Sequence, residues 1–244
     1  CHESDSVHFL GIHSHIGSQI FDSAPYVELV DCMLDHVLTI KNELGIEIEQ
    51  LNLGGGIGIS YTDQDQPLAI PNLLTDLSQR LVQKLDQHQI KHPVLLLEPG
   101  RSIIGNAGIT VYTIGTIKQV TADKTYIFVD GGMADNPRPM MYQSEYTIEL
   151  SRLQARNAVQ TYTIAGKFCE SGDILATDIQ LPSPKVDDLL IVHGTGAYNY
   201  SMASNYNRAC RPAMIMVNQG QPQIVVQRES FDDLIRLDSR LEFE

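Results

Sequence analysis

The period of the hydrophobic pattern changes part-way along the chain, and the change predicts two kinds of architecture. In the first hundred residues, short apolar runs alternate with longer stretches in which apolar residues recur every three or four positions. The run 7–16 reads as a strand. After it, Pro25 suits the first turn of a helix, and Val27, Val30, Met33, Leu34, Val37, Leu38 and Leu44 follow at helical spacing up to Gly45, a residue fitted to a left-handed C-cap. A second strand, 48–53, runs into Gly54, Gly55 and Gly56. The helix after it carries Leu73, Leu74, Leu77, Leu81, Val82 and Leu85 on one face. The run 94–97 is continuously apolar, as expected of a parallel strand buried on both faces, and ends at Glu98, Pro99, Gly100 and Arg101.

Beyond residue 103 or so the period falls towards two. TVYTIGTIKQV, TYIFVDGGM, YTIEL, VQTYTIAGKF, DLLIVHGTGAY, AMIMV and QIVVQR read as strands separated by Gly, Pro, Asn and Asp turns. The expected fold class is therefore α/β plus all-β, in two domains that meet within 103–108: a βαβαβ segment over 1–103 and a β-domain over 104–244.

Bulk composition narrows the range of functions. With 244 residues, 43% of them apolar and 19% charged, the chain can bury a substantial core. A formal charge of −13, without a basic cluster, argues against nucleic acid as a partner. The four cysteines are far apart and form no CxxC pair or Cys/His cluster, so no metal is expected and a reducing, cytoplasmic setting is the simplest. No apolar run approaches the ~18 residues of a membrane span, and 1–9 lack the features of a secretory signal. The sequence begins with Cys and runs at once into an apolar strand, so the natural start is expected upstream.

Candidate chemistry clusters at the carboxyl ends of the three early strands, where parallel α/β folds gather ligands. His13 and His15 close the first, the glycine run closes the second, and Glu98–Arg101 close the third. Bare backbone at Gly54, Gly55, Gly56 and Gly58 suits either a phosphate seat or a tight turn. Glu98 and Arg101 suit either a ligand site or a buried ion pair. His15 could stack on an aromatic cofactor or be a satisfied core residue. Cys169, beside Glu170 in a Gly-containing turn, is a reactive thiol or a small buried hydrophobe.

Six segments in order settle more than any one of them: GIHSHIGSQI (11–20), LNLGGGIGISY (51–61), LEPGRSI (97–103), FVDGGMADNPRPMMY (128–142), GKFCESGDIL (166–175) and GTGAYNYSMASNYNRACRP (194–212). In this order the chain resembles the diaminopimelate decarboxylase family of fold-type III pyridoxal-phosphate enzymes. The resemblance implies a partial TIM-type (β/α) barrel followed by a β-barrel or sandwich domain, with pyridoxal 5'-phosphate as cofactor. It implies that His15 stacks on the pyridine ring and that Glu98 pairs with the ring nitrogen. Ser18, Gly56, Gly100, Arg101 and Tyr198 would surround the phosphate. Arg101, Arg138 and Tyr142 would hold the far carboxylate of a small amino-acid substrate. Cys169 would donate a proton to the α-carbon, and Glu170 would contact the far amino group. A homodimer with shared active sites would be the catalytic unit, because the cysteine loop of such enzymes reaches the neighbouring site.

The same resemblance exposes a departure. Family members bind the cofactor covalently through a lysine on an early barrel strand. The lysines here, Lys41, Lys84, Lys91, Lys118, Lys124, Lys167 and Lys185, all lie in other contexts. The chain by itself is thus expected to be an inactive part of a decarboxylase that converts meso-diaminopimelate to L-lysine and CO₂. Alternatives are a related decarboxylase of ornithine, arginine or carboxynorspermidine, or a non-catalytic cofactor-binding or interaction module.

Overall fold

In the computed structural model, which describes residues 4–151 and 159–239, helical spacing and parallel pairing dominate the first part of the chain. Three short strands, β1 (Gly11–His13), β2 (Gln50–Asn52) and β3 (Val94–Leu96), form a parallel sheet in the order β1-β2-β3. Helices α1 (Ala24–Leu44) and α2 (Ile70–Gln87) connect them. The end of α1 follows from backbone sterics: Gly45 adopts φ 67°, which costs glycine little, and its N–H donates to the Lys41 carbonyl at 3.0 Å.

Tyr26, Leu29, Val30, Met33, Leu34 and Val37 line the buried stripe of α1, and Leu73, Leu77, Leu81 and Leu85 that of α2. Both stripes share a core with Leu51 and Leu53, which are sealed from solvent. A bidentate pair ties the helices together: Arg80 Nε and Nη2 donate to Asp31 Oδ1 and Oδ2 at 2.8 and 2.5 Å. The guanidinium holds the Asp31 carboxyl below its ordinary range.

Two expectations for these strands need correction. Pairing is confined to three residues per strand, from Gly11↔Gln50↔Val94 to His13↔Asn52↔Leu96, so most of 7–16 and half of 48–53 are loop. Nor is β3 buried on both faces, because it is an edge strand and Val94 remains 61% exposed. The short helix α3 (Arg101–Ile104) and one 3₁₀ turn follow, and the chain divides into two compact units, Cys1–Ala107 and Gly108–Glu244.

The second unit is built on period two. Strands β4 (Ile109–Thr121), β5 (Lys124–Val129), β6 (Ile148–Leu150), β7 (Val159–Ala165), β8 (Ile174–Pro182) and β9 (Leu189–His193) form one mixed sheet in the order β6-β9-β4-β5-β7-β8. Among the described residues of this sheet, only β5 and β7 pair in parallel. The long β4 serves two neighbours: Ile109–Thr113 pair with β9, and the rest pairs with β5 after an irregularity at Ile114/Thr116. A bulge of this kind bends a strand, and β6 comes into contact with β8, so the sheet is nearly closed. Alternate residues point inward, with Tyr112 and Ile114, Ile127 and Val129, and Leu190 and Val192 all buried.

Three elements are missing from the series of strands that the sequence pattern predicts. Helix α4 (Arg138–Tyr142) follows the VDGGM turn, and α5 (Phe231–Ile235) follows the hairpin of β10 (Met214–Asn218) and β11 (Gln221–Val226). Strand β8 was not expected. Asp178 sits within it at φ 58° and interrupts the alternation that would have revealed it. Among the described residues no helix is long and apolar enough to cross a membrane.

Candidate active site

In the first unit, the residues that end the strands hold one another in place. The β1 end turns at Gly17, whose φ of 132° is open to glycine. Gly55 and Gly56 let backbones meet: a β-carbon would stand 2.1 Å from the Glu98 carbonyl at Gly55, and 2.1 Å from the Gly17 carbonyl at Gly56. The glycine run therefore packs three strand-end loops together, which neither a bare tight turn nor a phosphate seat alone had described. Its N–H groups also orient side chains, since Gly55 N–H donates to His15 Nδ1 at 3.3 Å. That bond fixes the His15 ring while leaving the side chain exposed.

Glu98 leaves β3 with both carboxylate oxygens engaged. Asn52 Nδ2 donates to Oε1 at 2.8 Å, and His13 Nε2 lies 3.5 Å from Oε2. Arg101, in the first turn of α3, is buried and donates to the hydroxyls of Tyr61 and Ser18, the latter at 3.0 Å. Gly100 is the N-cap of α3. Thus His15, Ser18, Gly56, Glu98, Gly100 and Arg101 all lie in the loops that follow β1, β2 and β3. No lysine lies at the carboxyl end of these strands.

In the second unit, three loops carry the other predicted residues and are linked by buried polar contacts. Asp173, sealed from solvent, accepts N–H bonds from Met133 at 2.7 Å and Phe168 at 2.8 Å. It therefore fastens the loop of Cys169 and Glu170 to the VDGGM turn. Burial raises the Asp173 carboxyl above its ordinary value, and Gly132 and Gly166 leave the space its oxygens occupy. Asn199 Nδ2 donates to Asn136 Oδ1 at 2.6 Å, which ties the Tyr198 segment to the lead-in of α4. Arg138 at the start of α4 donates from Nε to Tyr146 at 3.0 Å and from Nη2 to Ser144 at 3.2 Å, and its guanidinium lies 5.4 Å from the Tyr142 ring centre. Tyr142 and Tyr198 are exposed, and so is Cys169, a free thiol rather than a buried hydrophobe.

Sequence reasoning passed over residues that hold the principal ones, Asn52 and Tyr61 in the first unit and Asn136, Asn199 and Tyr206 in the second, and it read Asp173 only as a carboxylate in the turn of Cys169. Asn52 was the most legible, being a polar residue that interrupts an apolar strand next to the glycine run. The others act through partners distant in sequence.

Residues 11–196 match the model of the pyridoxal-dependent decarboxylase C-terminal sheet domain. The chain belongs to the pyridoxal-dependent decarboxylase family. A diaminopimelate decarboxylase of Halalkalibacterium halodurans is 45% identical over 97% of this chain and 54% of its own length. One from Synechocystis is 45% identical over 97% of this chain and 50% of its own. The chain spans about half the length of the curated relatives it matches. A solved diaminopimelate decarboxylase from M. jannaschii in complex with L-lysine superposes with a TM-score of 0.86 at 35% identity, covering 95% of this chain and 52% of that one.

The donor set fits the cofactor of such a decarboxylase. A phosphate needs hydroxyl and backbone N–H donors, and the strand-end loops supply the Ser18 hydroxyl, held by Arg101, together with the backbone of Gly56, Gly100 and Arg101. A protonated pyridine needs a fixed acceptor, and Glu98 is a carboxylate already oriented by Asn52.

Proposed function

We propose that this chain forms part of a pyridoxal-phosphate-dependent decarboxylase that converts meso-diaminopimelate to L-lysine and CO₂, working in the cytoplasm as a homodimer with shared sites. The observation that carries this reading is the 45% identity, across 97% of the chain, to a diaminopimelate decarboxylase. On this reading β1–β3 with α1 and α2 are a section of a TIM-type (β/α) barrel, residues 1–103, and 104–244 form the β-domain. When bound, pyridoxal phosphate supplies an electron sink for the pair left as CO₂ departs.

The residues of this chain bind, orient and move protons. Glu98 would accept from the pyridine nitrogen and keep it protonated, with the Asn52 amide keeping the carboxylate aimed. His15 would lie against the ring. Ser18, Gly56, Gly100, Arg101 and Tyr198 would hold the phosphate. Arg138 and Tyr142, with Arg101, hold the far carboxylate of the substrate, where the planar guanidinium matches a carboxylate in shape. Glu170 meets the far ammonium. Cys169 Sγ gives its proton to the α-carbon after CO₂ has left.

Turnover assays on the full-length protein test the substrate: lysine should form from meso-diaminopimelate, and turnover of ornithine with none of diaminopimelate would overturn the choice. Cys169→Ala should lower kcat by roughly 10²- to 10⁴-fold, the range for a lost proton donor, with cofactor affinity nearly unchanged. An equal loss of cofactor binding, followed by absorbance titration, would contradict the assigned role.

A further inference from the structure

Glu170 is exposed at the tip of the cysteine loop, where a glutamate left to itself samples many rotamers. Here it does not stand alone. The Tyr206 hydroxyl donates to Glu170 Oε2 at 3.2 Å, and Ser171 Oγ lies 3.4 Å from Oε1. The Tyr206 and Phe168 rings also meet in a T-shaped contact, with centres 5.7 Å apart and planes at 84°, so one side chain braces the loop by packing and by hydrogen bonding. A carboxylate has about four lone-pair sites, so two hydroxyl donors orient it and still leave acceptor capacity for an ammonium group.

Tyr206 is itself held in an unusual way. The two residues after it, Asn207 and Arg208, adopt φ of 53° and 55°, a conformation that non-glycine residues rarely take in succession. Flanking contacts maintain it. Glu229 accepts from Asn205 Nδ2 at 2.6 Å on one side, and from Arg211 N, Nε and Nη2 at 2.5–2.8 Å on the other. The Glu170 carboxylate pushes the Tyr206 hydroxyl above its ordinary value, so it keeps its proton and goes on donating near neutral pH.

We infer that Tyr206 is a positioning residue that aims the Glu170 carboxylate at the far ammonium group of the substrate. This rests on the reading of Glu170 as a substrate contact. Tyr206 and Glu170 belong to one chain, so the bracing holds whichever protomer's site the loop completes.

The test is steady-state kinetics of the full-length enzyme with meso-diaminopimelate, for Tyr206→Phe, Glu170→Gln and the double variant. Phenylalanine keeps the ring against Phe168 and removes only the hydroxyl. Tyr206→Phe should raise KM roughly threefold to tenfold, about the effect of one ordinary exposed hydrogen bond, while kcat changes by less than about twofold. Glu170→Gln should raise KM further, and adding Tyr206→Phe to it should have no additional effect. Unchanged KM in Tyr206→Phe, beside a raised KM in Glu170→Gln, would overturn the positioning role alone. So would a Tyr206→Phe effect of equal size in both backgrounds, since the hydroxyl would then act independently of Glu170. Unchanged KM in Glu170→Gln would instead remove Glu170 from the substrate site, and the positioning role with it.

Discussion

At the scale of single residues, the second unit relies on a few carboxylates with several partners each. Glu229 is the clearest. Its contacts with Arg211 and Asn205 hold its pKa at about 2, against an ordinary 4.5. The sign of the consequence follows from proton binding. Because the folded value is depressed, the unfolded chain binds the proton first as pH falls, so Glu229 stabilises the fold fully above about 4.5 and loses that contribution as pH approaches 2. The melting temperature of Glu229→Gln should accordingly lie below that of the parent protein near pH 7, with a gap that narrows between pH 4.5 and 2. A gap that stays constant through this window would show that the ionised pair is not its source. Asp135 is displaced the other way: burial raises its carboxyl although it accepts from Tyr112 at 2.5 Å and from Gly132 N–H at 3.0 Å. The direction of a shift therefore follows from the balance of burial against donors: burial outweighs two neutral donors at Asp135, and the Arg211 guanidinium outweighs burial at Glu229.

At the scale of elements, α1 and α2 were legible because each bears a continuous apolar stripe with suitable ends, Pro25 and Gly45 for α1. Burial of that stripe, more than local propensity, holds such helices in place. Leu77, in the middle of α2 and only 1% exposed, tests this. Leu77→Ala should destabilise the fold by ~2–5 kcal/mol through lost burial and a residual cavity. Val82→Ala, on the same helix at a site 44% exposed, should change stability by less than about 0.5 kcal/mol. Denaturant titration of both variants would check the contrast, and equal losses would refute it. The strands were harder to read. Their apolar runs extend beyond the residues that pair, because β1, β2 and β3 share a ladder only where three backbones run in register. Strand β8 escaped notice because a left-handed residue breaks its period.

At the scale of the whole molecule, charge governs colloidal behaviour. A net charge of −13 opposes non-specific clustering near neutral pH, and this repulsion vanishes near the isoelectric point of about 4.9. Turbidity should thus peak close to pH 4.9, and a flat profile from pH 4 to 7 would show that other forces control association. The sequence by itself determined the change from α/β to β-rich architecture, the paths of the two long helices, and the identity of the residues with chemical capacity. It could do so because side-chain periodicity and the special backbone of glycine and proline are local properties. Only the tertiary structure decided how those residues are held: Asn52 on Glu98, Gly55 on His15, Ser18 on Arg101, Asp173 across two loops and Tyr206 on Glu170. Each contact joins positions far apart in sequence, and a hydrogen bond depends on distances of a few tenths of an ångström and on direction, which no local pattern encodes.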